Sequence, residues 1–159
     1  MAEIEAKIQI DASQDKIWKI ISEVDNDPQY WKSMTRIRNI SKERGVINRE
    51  VYLGEENKCH QRVTLFPKEG VHISWLKGPI TGIKDIMLFP CGNGTILEVQ
   101  MKYEPSGIMR FFFKNGTNYF QKEAELALQL IKEKSDGTGS KGPKMEIRKM
   151  WADLAREKR

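Results

Sequence analysis

The sequence predicts an α+β fold in which a seven-stranded antiparallel sheet wraps around a long C-terminal helix. Three observations support it. Apolar and charged residues alternate strictly near the N-terminus. Between residues 35 and 103, short strand-like segments are separated by turn residues such as "GEEN" and "PKEG". Residues 107–133 then change to helical spacing.

The composition fits one globular domain. The chain has 159 residues, of which 39% are hydrophobic and 31% are charged, values that disfavour a disordered chain. No apolar run reaches the ~20 residues that span a bilayer. "MAEIEAKIQI" carries acids where a signal peptide would carry basic residues, so we expect a cytoplasmic protein. Cys59 and Cys91 lack metal-binding spacing, which favours two reduced structural thiols.

The first segments predict one strand and two short helices. Residues 3–10, "EIEAKIQI", alternate as a half-buried strand. Ser13 can cap a helix whose apolar positions follow Ile17 at i+3, i+4 and i+7. Asp27 as cap and Pro28 in the first turn predict a second short helix before the next strand.

Six more strands complete the predicted sheet, and their short connections imply antiparallel neighbours. They are residues 35–41, 46–53, 58–66, 71–77, 83–89 and 95–103. Alternation predicts which side chains face inward: Ile47, Arg49, Val51, Leu53, Gln61, Val63, Leu65, Val71, Ile73, Trp75, Leu97, Val99, Met101 and Tyr103. Opposite them the long helix presents the small residues Gly116, Ala124 and Ala127, so an apolar cleft is expected.

The order of these elements resembles the helix-grip architecture of the START-like (SRPBCC) superfamily, which includes polyketide cyclase/dehydrase and coenzyme Q-binding families. The resemblance covers residues 2–133. It is carried by "IDASQDKIWKIISEVDNDPQYW" (10–31), "GPITG" (78–82) and "AELALQLIK" (124–132). It implies a cavity between sheet and helix that takes a lipid, quinone or polyketide-like molecule. Trp18, Tyr30 and Trp31 would then lie near one end of the cavity, or else serve only as core aromatics.

The candidate ligand-binding residues combine the inward rows with the aromatic and small residues of the helices. They are Tyr30, Trp31, Arg49, Val51, Gln61, Val63, Ile73, Trp75, Asp85, Val99, Met101, Tyr103, Phe113, Phe120, Ala124 and Ala127. No GxSxG, HExxH, Walker or GxGxxG motif is present. The sequence therefore predicts no metal or cofactor and assigns no catalytic residue. His60 and His72 are expected on the outer face.

Arg49 is the anomaly in the inward rows, because an unpaired buried guanidinium costs several kcal/mol. Asp85, interpreted as sharing a face with Ile83, Met87 and Phe89, is a candidate partner. A ligand head group is another. A register slip that leaves Arg49 in solvent is the remaining alternative.

Three classes of function remain open. The first is binding or transport of the hydrophobic ligand. The second is a polyketide cyclase, aromatase or dehydratase in which Arg49, Asp85 and Tyr103 orient and polarise the substrate. The third is a protein-interaction module acting through the segment after the domain.

The predicted domain spans residues 1–134, and residues 135–159 form a Gly/Ser linker and a basic amphipathic helix. This C-terminal segment holds seven Lys/Arg against four Asp/Glu. Residues 143–158 carry an apolar stripe, which indicates docking on the flank of its own domain, self-association or weak contact with a polyanion. The stripe consists of Ile147, Met150, Trp151 and Leu154.

Overall fold

The computed structural model describes residues 1–107 and 116–137. Its seven strands form one antiparallel sheet in the order β1-β7-β6-β5-β4-β3-β2. Every strand from β2 to β7 pairs with its neighbour in sequence, and β1 pairs with β7. The strands are β1 Ala2–Ile10, β2 Met34–Glu43, β3 Val46–Leu53, β4 Asn57–Phe66, β5 Gly70–Lys77, β6 Ile80–Cys91 and β7 Gly94–Pro105.

Two short helices separate β1 from β2. Helix α1, Gln14–Ile21, begins after Ser13, whose side chain accepts a hydrogen bond from the Lys16 N–H. A 3₁₀ turn, Val24–Asn26, leads into helix α2, Asp27–Tyr30, with a proline in its first turn. Asp27, predicted as the cap, is instead the first residue of α2, and its buried side chain binds Arg49.

The long helix α3, Gly116–Asp136, lies against β1, α1 and α2. Its buried side chains include Phe120, Ala124, Ala127 and Ile131, and the burial of Ala124 and Ala127 agrees with their predicted inward position. Together with the sheet, α3 gives the predicted helix-grip architecture. No helix among the described residues is long and apolar enough to cross a membrane.

Two parts of the predicted C-terminal region fall outside the described residues. Residues 108–115, the predicted first turns of the long helix, are one part, and residues 138–159 are the other. Within the described part, α3 continues to Asp136, and Ser135, placed at the start of the predicted linker, is buried in the helix.

The predicted inward rows of β3, β4, β5 and β7 are buried, except that Leu65 is only partly buried. Strand β6 differs from the prediction. Its buried inward residues are Ile80, Lys84, Ile86 and Leu88. Ile83 and Phe89 are 39% and 42% exposed. Both faces of β6 carry apolar side chains, and a lysine interrupts the inward face, so alternation alone does not reveal which face is buried.

Gly82 lies on the inward face of β6, two residues after Ile80. It stands in register between Trp75 of β5 and Tyr103 of β7. Its φ is 146°, and a Cβ at this position would collide with the carbonyl oxygen of Lys102. A glycine is therefore required where β6 approaches β7, between two large inward-facing rings.

Candidate functional site

A cavity lies between the inner face of the sheet and α3. It leaves about 10 Å³ for the centre of a water molecule, which is room for about one water. The lining is mostly apolar and also contains one amine and one carboxyl group. The lining residues are Ile4, Trp31, Ser33, Met34, Trp75, Lys84, Val99, Met101, Phe120, Glu123 and Ala124.

Lys84 brings the amine into this cavity. It lies between Ile73 of β5 and Met101 of β7 and is 3% exposed. Its Nζ lies 3.6 Å from the centroid of the Trp31 ring and 5.8 Å from that of Trp75. The ring faces attract the ammonium group through a cation–π interaction.

Burial dominates the ionisation of Lys84. Desolvation lowers the pKa of this amine to about 8, while the carboxylates of Glu123 and Asp27 act to raise it and Arg49 acts to lower it. Lys84 is therefore mainly protonated at neutral pH, and it changes charge at a mildly alkaline pH where an ordinary lysine stays charged.

Glu123 carries the cavity's carboxyl group on α3. Its Oε2 accepts a hydrogen bond of 2.6 Å from the backbone N–H of Ser33, which connects α3 to the segment between α2 and β2. Glu123 is itself buried. The cavity thus contains a basic and an acidic group on opposite walls, one from the sheet and one from the helix.

Trp75 has an unused hydrogen-bond donor. The residue is 4% exposed and lines the cavity. Its Nε1 has no hydrogen-bond partner in the described structure, and an unmade bond at a buried donor costs roughly 1 to 3 kcal/mol. An acceptor that entered the cavity within reach of this group would remove that cost.

Arg49 forms a separate buried polar cluster beside the cavity. It is fully buried, with Nη2 2.8 Å from Asp27 Oδ2, Nε 2.9 Å from Gln61 Oε1 and Nη1 3.0 Å from the Val24 carbonyl oxygen. Burial raises the pKa of the Asp27 carboxyl, and the Arg49 guanidinium opposes that shift. The predicted inward position is correct, and the alternative with Arg49 in solvent is excluded.

The predicted pairing of Arg49 with Asp85 is wrong. Asp85 lies on the outer face of the sheet, where its Oδ1 is 2.5 Å from His72 Nδ1. Ser74 Oγ lies 3.3 Å from His72 Nε2. This resembles a catalytic serine arrangement, but strand β5 pairs with strands on both sides, so its backbone N–H groups are not available to hold an oxyanion.

The other predicted ligand-binding residues divide between the cavity wall and the core. Six line the cavity: Trp31, Trp75, Val99, Met101, Phe120 and Ala124. Seven others are buried in the core but do not line the cavity: Tyr30, Val51, Gln61, Val63, Ile73, Tyr103 and Ala127. Trp18 is half-buried against the core, and Phe113 lies outside the described residues.

Sequence reasoning missed Lys84, Asp27 and Glu123. For Lys84 a signal existed, because a strand that begins at Ile80 puts Ile80, Ile86 and Leu88 in one row with the lysine. Asp27 was assigned to a helix cap, and Glu123 is one of several acids on a charged helix. Neither had a local pattern that predicts burial.

Comparison with solved structures identifies the fold. No protein-family model and no curated protein matches the sequence. A protein from Thermus thermophilus aligns with a TM-score of 0.72 at 14% identity, over 87% of this chain and 99% of that one. The Zhui aromatase/cyclase from Streptomyces sp. R1128 aligns with a TM-score of 0.68 at 12% identity, over 88% of this chain and 96% of that one.

A START superfamily protein from Mycobacterium smegmatis aligns with a TM-score of 0.59 at 14% identity, over 82% of this chain and 99% of that one. The chain has a START-like fold. At these identities the likeness extends to the fold alone. This domain carries its own inward-facing groups, of which Lys84 and Glu123 reach the cavity from opposite sides.

Proposed function

We propose that this START-like protein binds a hydrophobic or amphipathic small molecule, such as a lipid, quinone or polyketide-like compound, between the sheet and α3. The observation that carries the proposal is the composition of the cavity wall. Aromatic and aliphatic side chains surround an inward amine and an unused indole N–H. An apolar cavity with few polar groups is the usual form of a small-molecule site.

A ligand must enlarge the space that the structure shows, because that space accommodates about one water. Met34 and Met101 lie on the wall, and unbranched methionine side chains adapt readily to a new neighbour. Ala124 supplies a small side chain on α3. We therefore expect binding to be accompanied by rearrangement of side chains around Trp31 and Trp75.

Two experiments test the proposal. Native mass spectrometry of the full chain, purified from its own host, should show a co-purified hydrophobic compound. N-phenyl-1-naphthylamine, a neutral fluorescent probe, should bind the wild type and lose affinity in Ala124→Phe, which fills the cavity. Leu126→Phe, on the same helix but away from the cavity wall, is the matched control. Equal binding by wild type and Ala124→Phe would exclude this cavity as the site.

A second candidate is an enzyme of the cyclase, aromatase or dehydratase kind. The opposed Lys84 and Glu123 favour it, because an acid and a base across one cavity can move protons on a bound substrate. Asp85 has no part in it, since it faces away. Turnover of a poly-β-ketone surrogate that is lost in Glu123→Gln, with probe binding retained, would support the enzyme.

A further inference from the structure

The position of Lys84 is unusual for a lysine. It occupies the inward face of β6 among apolar neighbours, where lysine is almost never found unless paired. Among the described residues it takes part in no ion pair within 4.0 Å. The rings of Trp31 and Trp75 hold its amine instead, at the wall of the cavity.

The charged groups around Lys84 come from three elements. Glu123 on α3 and Asp27 on α2 favour its protonated form, and Arg49 on β3 disfavours it. Burial outweighs the two acids, and the pKa of the amine falls to about 8. At pH 8 this gives roughly a hundredfold more neutral amine than an ordinary lysine would have. A desolvated lysine of this kind is an activated nucleophile.

We propose that the Lys84 amine captures the carbonyl group of a bound hydrophobic ketone or aldehyde as an imine. This rests on the proposed function, since it names the class of ligand that the same cavity takes. The nitrogen lone pair forms a bond to the carbonyl carbon, and the amine proton moves to the oxygen to give a carbinolamine. The carbinolamine then loses this hydroxyl group together with the remaining N–H proton as water, which leaves the C=N bond, so no oxidant or reductant is required.

The neighbours of Lys84 suit each stage of this reaction. The unpartnered Trp75 N–H can donate to a carbonyl oxygen as negative charge develops on it. The Glu123 carboxylate, on the facing wall, can accept and return a proton. The Trp31 ring, which lies under the ammonium group in the structure, can stabilise the protonated imine in the same way.

Reductive trapping tests the proposal. Full-length protein is incubated with 2-naphthaldehyde and cyanoborohydride, and the adducts are located by peptide mass mapping. We expect Lys84 to be labelled about tenfold faster than exposed lysines at pH 8, because the larger share of neutral amine outweighs restricted access. The rate should level off above about pH 8, following the pKa of Lys84.

Two variants serve as controls. Lys84→Arg retains a cation over Trp31 but cannot form an imine, and it should lose the fast adduct. Lys84→Met is the second variant if the arginine prevents folding. Lys102→Arg, at an exposed position on the neighbouring strand, should keep the fast adduct.

Binding of 2-naphthylmethanol, which has no carbonyl group, separates the two proposals. If it quenches tryptophan fluorescence while Lys84 remains unlabelled, the imine proposal fails and the binding function stands. If neither compound binds, the binding function fails as well. Labelling spread evenly over the exposed lysines also overturns the imine proposal.

Discussion

Arg49 Nη2 lies 2.8 Å from Asp27 Oδ2, and both side chains are buried. The pair joins the middle of β3 to the first residue of α2. Two more hydrogen bonds, to Gln61 and to the Val24 carbonyl, use two further N–H groups of the guanidinium. The arginine therefore holds the helical segment that carries Trp31 against the sheet.

The first prediction concerns this pair. Arg49→Met should lower the free energy of unfolding by about 3 to 5 kcal/mol, because it leaves Asp27 buried without a partner. Asp27→Leu together with Arg49→Met should recover part of the loss. Urea denaturation measures both. Asp25→Asn, which breaks the exposed pair with Lys42, is the control and should cost less than about 1 kcal/mol. Strictly additive effects would mean that the pair is not coupled.

The second prediction concerns stability at alkaline pH. Lys84 has a native pKa of about 8, and an unfolded lysine titrates near 10.4. Between these values the unfolded state binds more protons, so the contribution of Lys84 makes the protein more stable as pH rises, by on the order of 3 kcal/mol in total. Lys84→Met should remove this contribution.

The comparison of wild type with Lys84→Met isolates this effect. Burial raises the pKa of Cys59 to about 12, so the contribution of Cys59 to stability falls as the pH rises. This contribution is the same in both proteins and cancels when they are compared. Urea denaturation from pH 7 to 10.5 gives the difference. A stability difference that stays constant over that range would contradict the lowered pKa of Lys84. The control, Lys102→Met, should show the same pH dependence of stability as the wild type.

The third prediction concerns Glu123. Glu123→Gln removes a negative charge that supports the ammonium form of Lys84, so the pKa of Lys84 should fall below about 8. The glutamine can still accept the hydrogen bond from the Ser33 N–H. NMR titration of the lysine side chains reports the change. Glu125→Gln, at an exposed position on the same helix, should leave the titration of Lys84 unchanged. An unchanged pKa of Lys84 in Glu123→Gln would show that Glu123 does not lie close enough to act on the amine.

The fourth prediction concerns residues 143–158, which lie outside the described part of the chain. Their apolar stripe is too short to form a stable helix alone in water. We expect it to dock on protein, either its own domain or a second copy. The fluorescence of Trp151 is obtained as the difference between the spectra of the wild type and Trp151→Phe. This fluorescence should be blue-shifted in the purified protein and unaffected by anionic vesicles or RNA. A red emission that moves to the blue only on adding these polyanions would overturn docking.

The sequence predicted the strands because their signals are local. Turn residues punctuate the chain, and on β3 and β7 one face is clearly more apolar than the other. On β6 both faces carry apolar residues, so the prediction placed Asp85 on the inward face and did not include Lys84 there. The partner of Arg49 is 22 residues away along the chain, on an element whose local role suggested a cap. Long-range pairing of this kind leaves no trace in periodicity.

The pairing of β1 with β7 has a consequence for how the protein folds. Ala2 pairs with Tyr103, about 100 residues later in the chain, whereas every other pairing in the sheet joins two strands that are consecutive in sequence. Closing such a long loop costs entropy before any contact repays it. We expect the hairpins to form first and β1 to join late. Since Ile4 of β1 lines the cavity, the cavity should be completed only at the end of folding.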